Sequence, residues 1–171
     1  CSSDLSGVVV YARTSKALSR LNEMFRLGKV HKTYHAITPN IPLARSGQPQ
    51  LSIGSTTNLV HFLTRNERQN KAYAHLNEVP GSKRASLDAT ILKVGDYTQL
   101  LEVNLHTGRH HQIRCQLATI GYPIRGDLKY GAPRSNPDGS ICLHARHIEF
   151  FHPVSKQLIS ITAPYPQQLN V

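Results

Sequence analysis

Acidic residues are scarce in this sequence: ten Asp and Glu stand against twenty Lys and Arg, a formal charge of +10. Such an excess draws a protein toward polyanions and makes its binding fall with salt, so nucleic acid is the natural partner. Cysteine is scarce as well. Cys1, Cys115 and Cys142 are odd in number and none forms a CxxC pair, which argues against a disulfide framework and fits a reducing cytoplasm. No stretch approaches the roughly 20 apolar residues of a membrane-spanning helix, and no basic amphipathic segment stands alone, so a soluble protein is expected. No internal repeat or low-complexity tract is present. Ten histidines, among them His106, His110, His111, His144, His147 and His152, invite a metal-site reading. Neither HExxH nor a carboxylate cluster accompanies them, and no metal is expected.

What is present suffices for one domain with a real core: 171 residues, 39% of them hydrophobic. The opening CSSDLSGVVVYA lacks an initiator Met and a signal peptide and runs almost directly into an apolar stretch, so the chain is expected to begin inside a domain. Val8 to Ala12 reads as a short buried strand. Thr14 or Ser15 then caps a helix with Ala17, Leu18, Leu21, Met24 and Phe25 at helical spacing, ended by Gly28. His31 to Thr38 is β-prone and is stopped by Pro39. Asn40 to Asn58, rich in Pro, Gly, Ser and Thr, reads as a mobile surface segment. Leu59 to Lys71 is compatible with a strand or a short helix. Ala85 to Val94 and Tyr97 to Leu105 alternate across Gly95-Asp96 as a hairpin with a type II′ turn. Arg109 to Ile120 reads as a helix with Gly121 as its stop. His144 to Phe151 and Gln157 to Thr162 form a second hairpin around Pro153. The sum is an α+β domain, a mixed and mainly antiparallel sheet with flanking helices.

Arg109 to Arg114 sets Arg, His, His, Gln, Ile and Arg behind a glycine turn, at a helix N-terminus suited to anions. On residue types alone, a solvated basic helix face is an equal reading. The longer run HTGRHHQIRCQLATIGYPIRGDLKYG, His106 to Gly131, decides between them, because it resembles the signature of RluA-type RNA pseudouridine synthases, TGRxHQIR followed by GxPIxGDxxYG. Further matches are SGVVVYART at Ser6 to Thr14, KTYHA at Lys32 to Ala36 and LHA at Leu143 to Ala145. Together they extend from about Ser6 to Pro166.

The resemblance implies an enzyme that breaks the N1 to C1′ bond of a uridine in ribosomal or transfer RNA, turns the uracil and rejoins it through C5, with neither metal nor organic cofactor. It implies residues 1–171 as a single catalytic domain lacking the strands that family members carry before the first motif. Arg114 matches a buried Arg that holds the catalytic carboxylate ionised, and Tyr34 matches an active-site Tyr whose ring can stack on the flipped base and whose hydroxyl could take part in proton transfer, stacking being the safer role at an ordinary pKa of about 10. Arg109, His110, Lys32, Arg125 and Lys129 are the implied RNA contacts. One motif departs from the family. Its catalytic Asp stands five residues before the glycine of HRLDxxxSG, whereas five before Gly7 here is Ser2 and Asp4 is only three before. Either CSSD stands where HRLD would be and Asp4 is the catalytic carboxylate, or the ungapped register leaves a serine in its place. A chain joined across missing residues would also restore the usual spacing to Asp4. Asp4 is the preferred candidate; the competing expectation is an RNA-binding relative or fragment that lacks the nucleophile.

Overall fold

A computed structural model describes residues 5–41, 49–166 and 169. The elements in chain order are β1 (Ser6–Gly7), α1 (Ser15–Arg26), β2 (Val30–Pro39), β3 (Thr56–Asn66), β4 (Lys71–His75), β5 (Lys83–Val94), β6 (Thr98–Leu105), α2 (Gln112–Thr119), a 3-10 turn (Leu128–Tyr130), β7 (Leu143–Phe151) and β8 (Leu158–Thr162). The strands form one eight-stranded sheet, β1-β7-β2-β6-β5-β3-β4, with β8 on the same outer side of β7 as β1. Only the short β1 runs parallel to its neighbour among the paired strands; the others are antiparallel. The mixed, mostly antiparallel sheet with two helices is the α+β architecture expected.

Local signals explain the elements that form as anticipated. Thr14 caps α1, its hydroxyl accepting from the Ala17 amide at 3.1 Å, and Gly28 closes it at a φ of +67°. Gly121, at a φ of +90°, stops α2, and the terminal hairpin pairs β7 with β8. Leu59 to Lys71 resolves as strand: β3 turns through Glu67 to Asn70 into β4, and Asn70 supplies a left-handed residue at a φ of 46°.

Four details differ from expectation. Val8 to Ala12 is no strand, and Val9 and Tyr11 are exposed. The edge of β7 beyond Ala145 is already taken, because β8 pairs from His147 onward and the Ala163 amide donates to the Arg146 carbonyl. The β5–β6 turn sits one residue later than expected: the Gly95 amide donates to the Thr98 carbonyl at 2.7 Å, so Asp96-Tyr97 form the tip. Asp96, the first residue of the tip, takes no positive φ, so the turn is not type II′. Helix α2 starts at Gln112 rather than Arg109, since His111 is left-handed with a φ of 50°. Asn40 to Asn58 lies partly outside the described residues; of the rest, Leu51 is buried in the core, Ile53 bridges to Ile91, and Thr56 already belongs to β3.

The main core lies between the central strands and α2. Ala36 of β2, Leu87 and Ala89 of β5, and Leu101 and Val103 of β6 form one cluster with Ile113 and Leu117 of α2. Every residue of α2 from Gln112 to Ala118 is buried, so its polar side chains need internal partners. Gln116 donates to the Leu59 carbonyl at 3.1 Å and lies 3.0 Å from His61 Nδ1. This anchoring fixes the helix, and with it Arg114, against β3.

Candidate active site

The turn before α2 is fastened by its own polar side chains. Thr107 Oγ1 accepts from the Ser86 amide at 2.9 Å and donates to Gln112 Oε1 at 2.7 Å. Gln112 Oε1 also accepts from the Arg109 amide, while its Nε2 donates to the Ser86 carbonyl at 3.1 Å. The Thr and Gln of the motif therefore staple the turn to β5, leaving Arg109 exposed. Gly108 makes room for a neighbour: a Cβ there would lie 3.2 Å from Lys32 Nζ.

A cavity of about 180 Å³ opens beside this turn, with Leu5, Leu105 and Leu143 as apolar wall and Tyr34, His111 and Arg114 among its other lining residues. It is smaller than the roughly 300–1,000 Å³ of sites for drug-sized ligands. Arg114 is 6% exposed and forks onto Asp127, itself 1% exposed, with Nε to Oδ2 at 2.7 Å and Nη2 to Oδ1 at 2.8 Å. Its guanidinium carbon lies 5.1 Å from the centre of the Tyr130 ring. A bidentate, ring-backed guanidinium is fixed in orientation as well as in charge.

The remaining edge of Arg114 meets His111, with Nη1 3.3 Å from Nε2. Since Arg114 can only donate, Nε2 must accept, and Nδ1 then carries the proton toward the Tyr130 hydroxyl at 3.0 Å. Tyr130 in turn accepts from the Ala72 amide at 2.8 Å. Burial, reinforced by the Arg114 charge, lowers the His111 pKa to about 4, which keeps the ring neutral and able to accept. Because the folded-state pKa lies below the ordinary histidine value, the contribution of His111 to stability is complete above about pH 6.5 and is lost as pH falls toward 4. Urea denaturation of wild type and His111→Asn at pH 7 and pH 5 checks this: the variant is expected to lose less stability on acidification. An equal loss in both proteins would exclude the assigned role.

The SG and LHA motifs also acquire a physical purpose. Ser6 and Gly7 pair with His144 and Ala145, and Ser6 Oγ lies 2.8 Å from His144 Nδ1. Gly7 has a φ of +115°, and a Cβ there would meet the Ala145 carbonyl oxygen at 2.3 Å, so only glycine allows this approach. The pairing holds Leu5 at the cavity wall.

Of the anticipated site residues, Tyr34, Arg114 and Arg109 come together around this cavity. Tyr34 sits where β2 has a bulge against β7, and burial raises its pKa, keeping the phenol protonated. Arg109, whose Nε donates to the Arg84 carbonyl, lies at the rim and also lines a second cavity with His110. Lys32 is half-buried near Gly108 with its ammonium 5.2 Å from the Phe25 ring centre. Lys129 is exposed and reaches the Asn70 carbonyl at 3.4 Å. Arg125 is not brought to the cavity. Its backbone bonds to Ile37 and Cys142, and its exposed side chain departs from a different part of the fold. Asp4 lies outside the described residues; the adjoining Leu5 lines the cavity. Asp127, Tyr130 and His111 had no assigned role in the sequence, although the GDxxYG spacing carries the first two. Among the described residues, no group of three or more His, Cys, Asp or Glu is placed to hold a metal ion, and no helix is long and apolar enough to cross a membrane.

Comparison with known proteins agrees with the motifs. The family described as RNA pseudouridylate synthase matches residues 3–119. An uncharacterized RNA pseudouridine synthase of Chloroflexus aurantiacus is 34% identical over 98% of this chain and 49% of its own length. One from Chlorobaculum parvum is 31% identical, covering 97% and 53%, and ribosomal large subunit pseudouridine synthase C of Buchnera aphidicola is 33% identical, covering 94% and 50%. The chain thus spans about half the length of these curated relatives. Human RNA pseudouridylate synthase domain containing 1 shares the fold, with a TM-score of 0.63 at 22% identity over 91% of this chain and 62% of that one. By the family match, the relatives and the motifs that build its cavity, this chain belongs to the RluA-type RNA pseudouridine synthase family.

Proposed function

We propose that this domain isomerises uridine to pseudouridine in ribosomal or transfer RNA in the cytoplasm, using Asp4, Tyr34 and Arg114 and neither metal nor organic cofactor. The observation that carries the reading is the small cavity in which Tyr34, Arg114 and Leu5 meet, with Leu5 one residue from Asp4. A target base inside folded RNA must leave its stack to reach such a cavity, and an aromatic ring and apolar walls recover part of that cost. Tyr34 stays protonated through burial, so it serves as a stacking surface rather than a base.

Asp4 supplies the carboxylate that acts on the substrate, and Arg114, oriented by its fork onto Asp127, is the cation that favours the ionised form. A cation within about 4–6 Å lowers a carboxylate pKa by roughly 1–3 units. The N1 to C1′ bond breaks, the uracil turns within the cavity, and C5 bonds to C1′. The C5 proton is lost and N1 gains one, so the reaction balances as an isomerisation with no net oxidation. The Buchnera relative named for the ribosomal large subunit makes ribosomal RNA the first substrate to try.

Purified protein incubated with unmodified ribosomal and transfer RNA in EDTA is expected to yield pseudouridine by nucleoside chromatography. No pseudouridine from either RNA, by protein that binds both, would reject the reading.

A further inference from the structure

The sheet face covered by α2 changes character where the helix begins. Register places Leu59, His61 and Leu63 of β3 beside Leu87, Ala85 and Lys83 of β5, and Arg65 beside Ala72 of β4, all on one face. Leu59, His61, Leu63, Ala85 and Leu87 are buried. One alternation further along each strand, the pattern switches to the exposed cations Arg65 and Lys83. The Gly108 to His110 turn stands over that end of the sheet. Between them lies a second cavity of about 270 Å³, lined by Arg65, Lys83, Arg109 and His110 with Leu63 and Ala72 among its apolar residues. Among the described residues, no Asp or Glu lines it. His110 Nδ1 is buried and has no hydrogen-bond partner among the described residues. Arg109 lines this cavity and the one holding Tyr34 and Arg114, so the two adjoin.

We propose that this second cavity is a phosphate pocket, in which Arg65, Lys83, Arg109 and His110 hold a backbone phosphate of the RNA strand flanking the reactive uridine. The inference rests on RNA being the substrate. Two strands and a turn each contribute a cation, and their mutual repulsion has no acid in the lining to relieve it. A phosphodiester supplies that charge together with oxygens able to accept from several donors at once. The shared Arg109 sets the division of labour: the smaller cavity takes the base, and the larger holds the strand from which the base is turned out. Arg65 and Lys83 thereby become positioning residues that no motif marks, since they lie outside the HTGRHHQIR run.

The test is fluorescence anisotropy with a labelled stem–loop RNA carrying an all-uridine loop, titrated across a salt series. The variant is Arg65→Gln with Lys83→Gln; both residues are exposed, so the fold is expected to persist, as a thermal melt will verify. A control removes equal charge from α1, Lys16→Gln with Arg20→Gln, neither of which lines either cavity. The pocket variant is expected to bind about tenfold more weakly and to lose about 0.7 from the steepness of log K against log salt, the share of one single-strand phosphate. The control is expected to change both far less. If the two variants weaken binding equally, or the pocket variant matches wild type, the pocket assignment falls while the RNA reading stands. If wild type binds the RNA at no salt concentration, both fall.

Discussion

Asp4→Asn is expected to abolish pseudouridine formation, by at least about 10³-fold, while leaving RNA affinity and thermal stability close to wild type. The substitution keeps size and polarity and removes only the negative charge. If Asp4 acts on the substrate, the amide cannot replace it, because an asparagine side chain neither carries charge nor exchanges a proton near neutral pH. Arg114 would then face a neutral group, and the cost would appear in kcat rather than in KM. The paired measurements separate the two registers left open by the spacing before Gly7. Loss of turnover with retained binding assigns the carboxylate to Asp4. Turnover that survives Asp4→Asn would place the chemistry on another group, and Ser2 in the ungapped register could not be that group, having no charge to offer.

How much of this arrangement is legible in the sequence depends on how local its cause is. Helix α1 is written in its Thr14 cap and Gly28 stop, and the β5 and β6 strands in their alternation, because each signal lies within a few residues of what it specifies. Val8 to Ala12 fails for the opposite reason. Its composition is that of a strand, but β8, some 150 residues later in the chain, occupies the edge it would need. The early end of the helical pattern at Arg109 fails similarly, since the turn is held by Ser86 across the sheet and His111 adopts a left-handed conformation. Tyr34, Arg109 and Arg114 could be named from motif matches, but what orients Arg114 could not. Asp127 is 13 positions away and no periodicity joins the two. Arg65 and Lys83 look like ordinary surface cations until the β3–β5 register and the end of α2 place them on one face.

Asp127→Asn is expected to carry the second large effect, and it reaches activity through a residue that need not touch the substrate. Asp127 accepts two of the Arg114 donors in a pair buried on both sides, so the substitution removes the charge that forks this buried guanidinium into place. Removing one partner of such a pair costs about 3–5 kcal/mol, far more than a surface pair would. Asparagine can still accept through one oxygen, but its amide nitrogen would confront an Arg donor. The fork is therefore lost, and Arg114 becomes free to rotate toward the cavity or His111. Urea unfolding at pH 7 should show the destabilisation, and single-turnover assays at a temperature where the variant remains folded should show loss of the chemical step. Asp127→Glu is the discriminating companion. It restores the charge without the short reach, so it should recover more of the stability than of the rate. If Asp127→Asn unfolds like wild type and turns over normally, Asp127 does not set the orientation of Arg114. If Asp127→Glu recovers rate and stability in equal measure, its charge alone matters, and the forked geometry is dispensable.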